Sequence, residues 1–331
     1  MEQFEVQVTA ADQSSADDAF AFSSSKLDQG DSLSIVEKRA ESGAQLNVHA
    51  PERYCSCTLN TQGGDVRVDC INEGSLDVEV EPQSQAQQDR QGNVTLGNIK
   101  STWSHIRSSG AITGRQLIGD SLVMVSDGAT TFSRVLGNQV QILSGADVSI
   151  DFVHGKAITI CAEGRCRIAH INCTEGDATV SSVGAAVDIG SLDGNGTIMT
   201  DGTDVAVQAL ASTTKLEVLS HGGDISCTLD PELIEKGITV TAQASQVECT
   251  VTELTDTRVD SVGTIDNPGP DSEGKDDSKQ YRMAKFQSNA ATGGSSHAPV
   301  IVDLYVGTDE RGKITIAKQS WLDKIRLKAA Q

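Results

Sequence analysis

Aromatic side chains are scarce in this sequence: 3% of 331 residues, as six Phe, three Tyr and two Trp. A core built with so few must draw on Val, Ile, Leu, Ala and Cys, within a hydrophobic fraction of 37%. Proline is scarce too, six residues against 31 glycines. Low-complexity disordered chains are rich in both, whereas many glycines with little proline suit tight turns in a regular array. Positive charge is short, with 26 Lys and Arg against 46 Asp and Glu and a net charge of −20. Proteins hold nucleic acid largely by neutralising phosphates with Lys and Arg. No basic run with interleaved aromatics occurs, so nucleic acid and anionic membrane surfaces are set aside as partners.

Long apolar runs are also missing. No stretch approaches the ~20 residues that span a bilayer, so no membrane insertion is expected. The opening Met1–Val8 alternates as a strand does and holds neither an apolar signal core nor an Arg-rich amphipathic stretch. The expectation is a cytosolic chain or one whose targeting segment lies outside this sequence. The eight cysteines are spread along the chain, which favours reduced thiols over a disulfide framework.

What is present is a repeat. Turn glycines lead into short strands that alternate polar and aliphatic residues, as at Gly64–Val68, Gly145–Ile150, Gly155–Ile160, Gly176–Val180, Gly184–Ile189 and Gly223–Cys227. From Gly145 through Gly164, Gly184, Gly202 and Gly223 the spacings are 19, 20, 18 and 21. Two strands and two turns per ~20-residue rung predict a parallel, all-β β-solenoid, in which each rung buries its apolar face only against its neighbours. Alternation places Val148 and Ile150 inward and Asp147 and Ser149 in water. A β-sandwich is the rival architecture, since its turns recur every ~8–12 residues.

The expected layout is a strand and polar loop over 1–31, with 9–31 as loop. Solenoid repeats follow over 32–266, then a long polar loop over 267–299. Residues 300–331 close the same domain. There Val300–Val306 and Lys313–Ile316 read as an antiparallel hairpin. Ser320 then caps a short segment with Trp321, Leu322 and Ile325 on its apolar side, covering an open solenoid end.

Three stretches carry a family resemblance: Leu46-Asn47-Val48-His49-Ala50-Pro51-Glu52-Arg53-Tyr54, the Gly-Asp-x-aliphatic punctuation, and Gln319-Ser320-Trp321-Leu322-Asp323-Lys324-Ile325-Arg326-Leu327. They resemble the adhesin domain family of bacteria, a β-solenoid family, and more closely its small eukaryotic branch, whose vertebrate members look mitochondrially targeted. The resemblance spans nearly the whole chain. It implies a solenoid fold and a mitochondrial setting, with a cytoplasmic one as the alternative, and it brings no catalytic residues. The adhesin label describes architecture rather than activity.

Candidate chemistry is thin. Cys161, Cys166, His170 and Cys173 offer three thiols and an imidazole within thirteen residues, the donor set of a tetrahedral zinc site. Alternation, however, sends Cys166 and His170 to one face, and only a sharp turn would bring Cys161 and Cys173 round to them. Cys227 and Cys249 hold the middle inward positions of strands 22 residues apart, and Cys57 with Leu59 and Val68 with Cys70 alternate likewise, so cysteine reads as a small core hydrophobe. The acidic turns at Asp193–Gly196 and Asp201–Asp204 hold oxygen donors for calcium but lack the nine-residue calcium-roll period, and Asp-Gly is ordinary turn chemistry. Six histidines and many serines are available. No nucleophile elbow, phosphate loop or dinucleotide fingerprint frames them. The expectation is therefore a non-catalytic, cofactor-free structural or protein-interaction solenoid. A solenoid hydrolase or lyase acting on polysaccharide or ester is the alternative. The protein partner and the oligomeric state are left open.

Overall fold

The computed structural model describes residues 5–9, 20–27, 30–37, 45–49, 56–62, 64–82, 91–256, 263–264, 280–288, 300–307 and 312–320. They are nearly all β and form parallel β-solenoid, about nine turns in all, not a barrel. The chain divides into two compact units, residues 1–162 and 163–331.

The first unit holds β1 (Glu5–Thr9), β2 (Phe20–Leu27), β3 (Gly30–Glu37), β4 (Gln45–His49), β5 (Ser56–Gln62), β6 (Val66–Glu81), β7 (Val94–Ser108), β8 (Ile112–Ser126), β9 (Thr130–Ser144), β10 (Val148–His154) and β11 (Ala157–Ala162). β1 pairs with β4, and β2 with β3, antiparallel. From β3 onward every rung pairs parallel with the next. The residues expected as loop over 9–31 thus contain β2, whose Phe20–Leu27 extends the sheet beside β3. Its Ser-rich sequence lacked the apolar alternation that marks a strand with one buried face.

From β7 to β10 the register steps by 18 residues, through Val94, Ile112, Thr130 and Val148. Each rung makes three paired stretches, such as 94–96, 98–100 and 103–108. One long strand bends twice, where the glycine spacing had suggested two strands joined by turns. Inward columns run at the same step: Val94, Ile112, Thr130, Val148; Leu96, Gly114, Phe132, Ile150; Ile106, Met124, Ile142, Ile160. Burying each aliphatic side chain is worth roughly 1.5–3 kcal/mol, and stacking like on like gives every rung the same interior.

A second column closes the rungs. Ser108, Ser126 and Ser144 are buried at the strand ends, and each Oγ donates to a carbonyl in the turn below: Gly92 at 2.8 Å, Gly110 at 3.2 Å and Gly128 at 2.8 Å. Ser182 and Ser220 do the same to Gly164 and Thr203 at 2.8 and 2.9 Å. Turn carbonyls buried between rungs need such partners. The glycines announced these turns in the sequence; the serines that satisfy them did not.

The second unit holds β12 (Cys166–Ser182), β13 (Val187–Thr200), β14 (Val205–Ala209), β15 (Lys215–Ser220), β16 (Ile225–Leu229), the helix α1 (Pro231–Lys236), β17 (Ile238–Ala244), β18 (Gln246–Cys249), β19 (Leu254–Asp256), β20 (Gly263–Thr264), β21 (Gln280–Ser288), β22 (Val300–Val306) and β23 (Lys313–Lys318). β12 to β16 stack in sequence order. The order then changes. β22 pairs parallel with β15 on one edge and with β17 on the other. β23 does the same between β16 and β18. With both edges occupied they are not the hairpin the sequence suggested, but the two arms of a rung inserted between two earlier ones. Alternation in Val300–Val306 reports a buried face and says nothing of which strands flank it.

β21 pairs antiparallel with β17, β19 and β20, so the expected 267–299 loop contains a strand over 280–288. The expected closing segment at Trp321, Leu322 and Ile325 lies outside the described residues. Among the described residues no helix is long and apolar enough to cross a membrane.

Candidate functional site

A concave feature of the first unit arises at a corner of β6, β7 and β8. Asn72 pairs with Lys100, Gly74 with Ser101 and Ser75 with Trp103, so Glu73 and Thr102 are each an extra residue on their strand. Glu73 adopts φ 61°, the left-handed region that a residue with a side chain seldom takes. Paired bulges bend the strands and turn their side chains outward. The result is an open groove of about 840 Å³ lined by Glu73, Lys100, Thr102, Trp103 and Asp120. Trp103 is 44% exposed, in a chain with only two tryptophans.

The surroundings are polar and ordered. Ser101 is buried with its Oγ 2.7 Å from Ser104 Oγ, and Ser75 donates to Ser56 Oγ at 2.8 Å. Asn138 Nδ2 donates to Asp120 Oδ1 at 3.2 Å, one rung over. Trp103 itself stands in register with Ser75 and Ser121, and Ser121 with Gln139. A second exposed ladder runs through Thr95, Thr113, Thr131 and Ser149, with Thr113 Oγ1 donating to Thr95 Oγ1 at 3.4 Å. Neighbouring rungs lie ~4.8 Å apart, so these hydroxyls form a straight row of evenly spaced donors and acceptors.

The zinc candidates do not gather. Cys161 is half-buried in β11 of the first unit, while Cys166, His170 and Cys173 belong to β12 of the second. Cys166 and Cys173 are buried, seven residues apart on one strand, opposite Val187 and Gly194. Burial and the Asp177 carboxylate push the Cys173 thiol up to about 11, against a backbone hydrogen bond from Gly176. A metal site instead draws thiols towards the thiolate. Among the described residues no group of three or more His, Cys, Asp or Glu is placed to hold a metal ion.

His170 Nδ1 bonds to Ser191 Oγ, a Ser–His pair. Ser191 is fully buried, however, so a substrate has no access to its hydroxyl. Burial lowers the His170 pKa, and the nearby Asp193 opposes this. The other histidines described with side-chain partners sit beside carboxylates: His105 Nδ1 is 3.1 Å from Asp77 and His221 Nδ1 3.7 Å from Asp201.

The acidic turns have structural occupations. Asp65 Oδ1 accepts from Asn93 N at 2.8 Å, Asp204 Oδ1 from Asp224 N at 2.9 Å, and Asp224 Oδ1 from Lys313 N at 2.8 Å. Asn195 Oδ1 accepts from Thr214 Oγ1 at 2.5 Å and Lys215 N at 3.1 Å, and Asp193 accepts from Ser212. Each of these turn carboxylates or amides thus ties one rung to the next through its Oδ1.

Cys227 is fully buried, as its alternation implied, and burial alone pushes its thiol up to about 12. Cys249 and Cys57 are half-buried. Cys70 is exposed, contrary to its alternation with Val68, because β6 bends at Asp69, where pairing with β7 is interrupted between Val68–Leu96 and Cys70–Asn98. The groove at Trp103 had no sequence signal beyond the rarity of tryptophan, since it depends on two bulges on neighbouring strands.

No family model matches this chain, and no curated protein or solved structure is significantly similar to it.

Proposed function

We propose that this chain is a non-catalytic protein-interaction solenoid and that a partner docks on the first unit with Trp103 as its anchor. The observation that carries this reading is an indole left 44% exposed in an open polar groove, in a protein otherwise sparing with aromatics. Tryptophan is among the residues that dominate binding energy at protein interfaces. The Ser, Thr and Gln ladders beside it supply hydrogen bonds in a flat, repeated array. Glu73 and Asp120 outnumber Lys100 in the groove, and the chain carries −20 overall. Electrostatic complementarity therefore favours a neutral or basic partner surface. A mitochondrial setting, taken from the family resemblance, belongs to the same proposal.

The test is proximity labelling in the source cell, comparing the wild type with Trp103→Ala. The neighbours that depend on this surface should disappear from the variant; an identical set of neighbours from both proteins would sink the reading. The compartment of the neighbours checks the mitochondrial setting in the same experiment.

A second reading has one observation in its favour. Glu73 and Asp120 present carboxylates on the same groove as Trp103, and paired carboxylates are the working groups of glycoside hydrolysis. Release of reducing ends from a panel of neutral polysaccharides, lost in Glu73→Gln and Asp120→Asn, would replace the docking proposal with this one.

A further inference from the structure

The inserted rung poses a geometric problem. β15 and β16 precede β17 and β18 in sequence, yet they are not neighbours: a strand's width separates them, filled by β22 and β23. Two rung spacings amount to ~9.6 Å. The connection across that step is Asp230, α1 and Gly237. Six helical residues rise ~9 Å, so α1 has the length of the step. It is also held firmly. Asp230 accepts from Glu232 N at 2.8 Å, a proline opens the first turn, and Gly237 closes the end at φ 98°. Leu233 and Ile234 are buried beneath it. The spacer is part of the chain on either side of the slot, and its closing Gly237 carbonyl accepts from Val300 N of the inserted rung at 3.0 Å.

The occupant is gripped on every side. β22 has six register partners on β15 and six on β17, and β23 has five on β16 and four on β18. Val302, Leu304, Ile314 and Ile316 are fully buried. Asp224 accepts from Lys313 N on one flank. On the other, Lys313 pairs with Glu248, and Lys318 with Glu253. None of these contacts depends on the rung belonging to the same chain, since it is reached only through residues 289–299.

We propose that the slot between 215–229 and 238–249 is a strand-acceptor site and that a second copy of this chain fills it with its own β22 and β23, giving an exchanged dimer. Exchange of an identical element reuses every native contact and is a low-cost route to a dimer. The tethered strand wins in dilute solution, because a short tether gives an effective concentration in the millimolar range. The slot with its occupant removed presents two facing rows of unpaired backbone groups, which drives it to capture whichever matching strand arrives first.

The native ion pairs supply the assay. Full-length wild-type protein, half of it isotopically heavy, is mixed in denaturant and refolded at micromolar and at near-millimolar concentration. Monomer and dimer are separated and treated with a zero-length carbodiimide, which joins Lys313 to Glu248 and Lys318 to Glu253. The dimer fraction should rise about tenfold or more with concentration. In an exchanged dimer about half of these crosslinks join a light peptide to a heavy one, while the monomer gives none. A dimer whose crosslinks are all of one isotope overturns the proposal, because it formed on another surface. So does a protein that stays monomeric across the whole range.

Discussion

Gly114 is the third residue of β8, in a column that reads Leu96, Gly114, Phe132, Ile150. A Cβ added to it would lie 2.0 Å from Phe132 Cε1 and 2.6 Å from Cδ1. Carbon atoms pack at about 3.5–4.0 Å, so the ring would have to retreat by at least ~1.5 Å. It has nowhere to go: Phe132 is 2% exposed and Ile150 closes the next rung. Overpacking a tight core costs ~1–3 kcal/mol, against a gain of about 0.4–1 kcal/mol from stiffening the unfolded chain. Gly114→Ala should therefore destabilise the first unit by about 1–2 kcal/mol. Pairing it with Phe132→Leu should relieve the clash, leaving the double variant at least ~0.5 kcal/mol more stable than the two single changes added together. Urea unfolding of all four proteins, followed by a probe in the first unit, measures both quantities. A Gly114→Ala midpoint at or above the wild type, with no coupling to Phe132, would refute the reasoning.

Thr130 occupies a column of Val94, Ile112 and Val148, is fully buried, and its hydroxyl finds no partner. Thr130→Val should stabilise by about 1 kcal/mol in the same assay, and a loss of stability would show that the hydroxyl is satisfied. The buried Cys227 thiol sits at about 12, above the ordinary value of about 8.5. The folded state keeps its proton where the unfolded chain loses it, so its contribution is present below about pH 8.5 and is lost as pH rises towards 12. The second unit should weaken on the order of a few kcal/mol across that window, less in Cys227→Ala; equal alkaline slopes would contradict the assignment. At pH 8 the exposed Cys70 should react with iodoacetamide while folded Cys227 does not, as peptide mapping would report. Asp230→Ala removes the α1 cap and should cost about 0.5–2 kcal/mol by chemical denaturation. No measurable loss would show that α1 is held by its buried Leu233 and Ile234 alone.

The solenoid was legible because its cause is local. Turn glycines and alternation over five or six residues fix which side chains face inward, and Val148, Ile150 and Cys227 are buried as that pattern requires. What it hid has non-local causes. Gly114 looks like one more glycine, and only the stacking of Phe132 upon it explains its place inside a strand. The Trp103 groove needs Glu73 and Thr102 to bulge on adjacent strands 29 residues apart in sequence. The place of β22 and β23 between two earlier rungs leaves no local trace, because a strand carries the same alternation whatever lies on its edges. The cysteines illustrate both sides: alternation places Cys227 correctly but fails at Cys70, where the strand bends.

The inserted rung also sets the two units apart in time. In the first unit each parallel rung meets a partner 18 to 28 residues away, as Val94 meets Ile112 and Val66 meets Val94, so every strand can add to the one just made. In the second, Lys215 must find Ile301, 86 residues later, and β17 cannot take its final neighbours until nearly the whole chain exists. Folding slows as contacts become more distant in sequence. During synthesis the first unit can wind up as it emerges, while the second waits, with two unfinished edges, for the last stretch of chain to arrive.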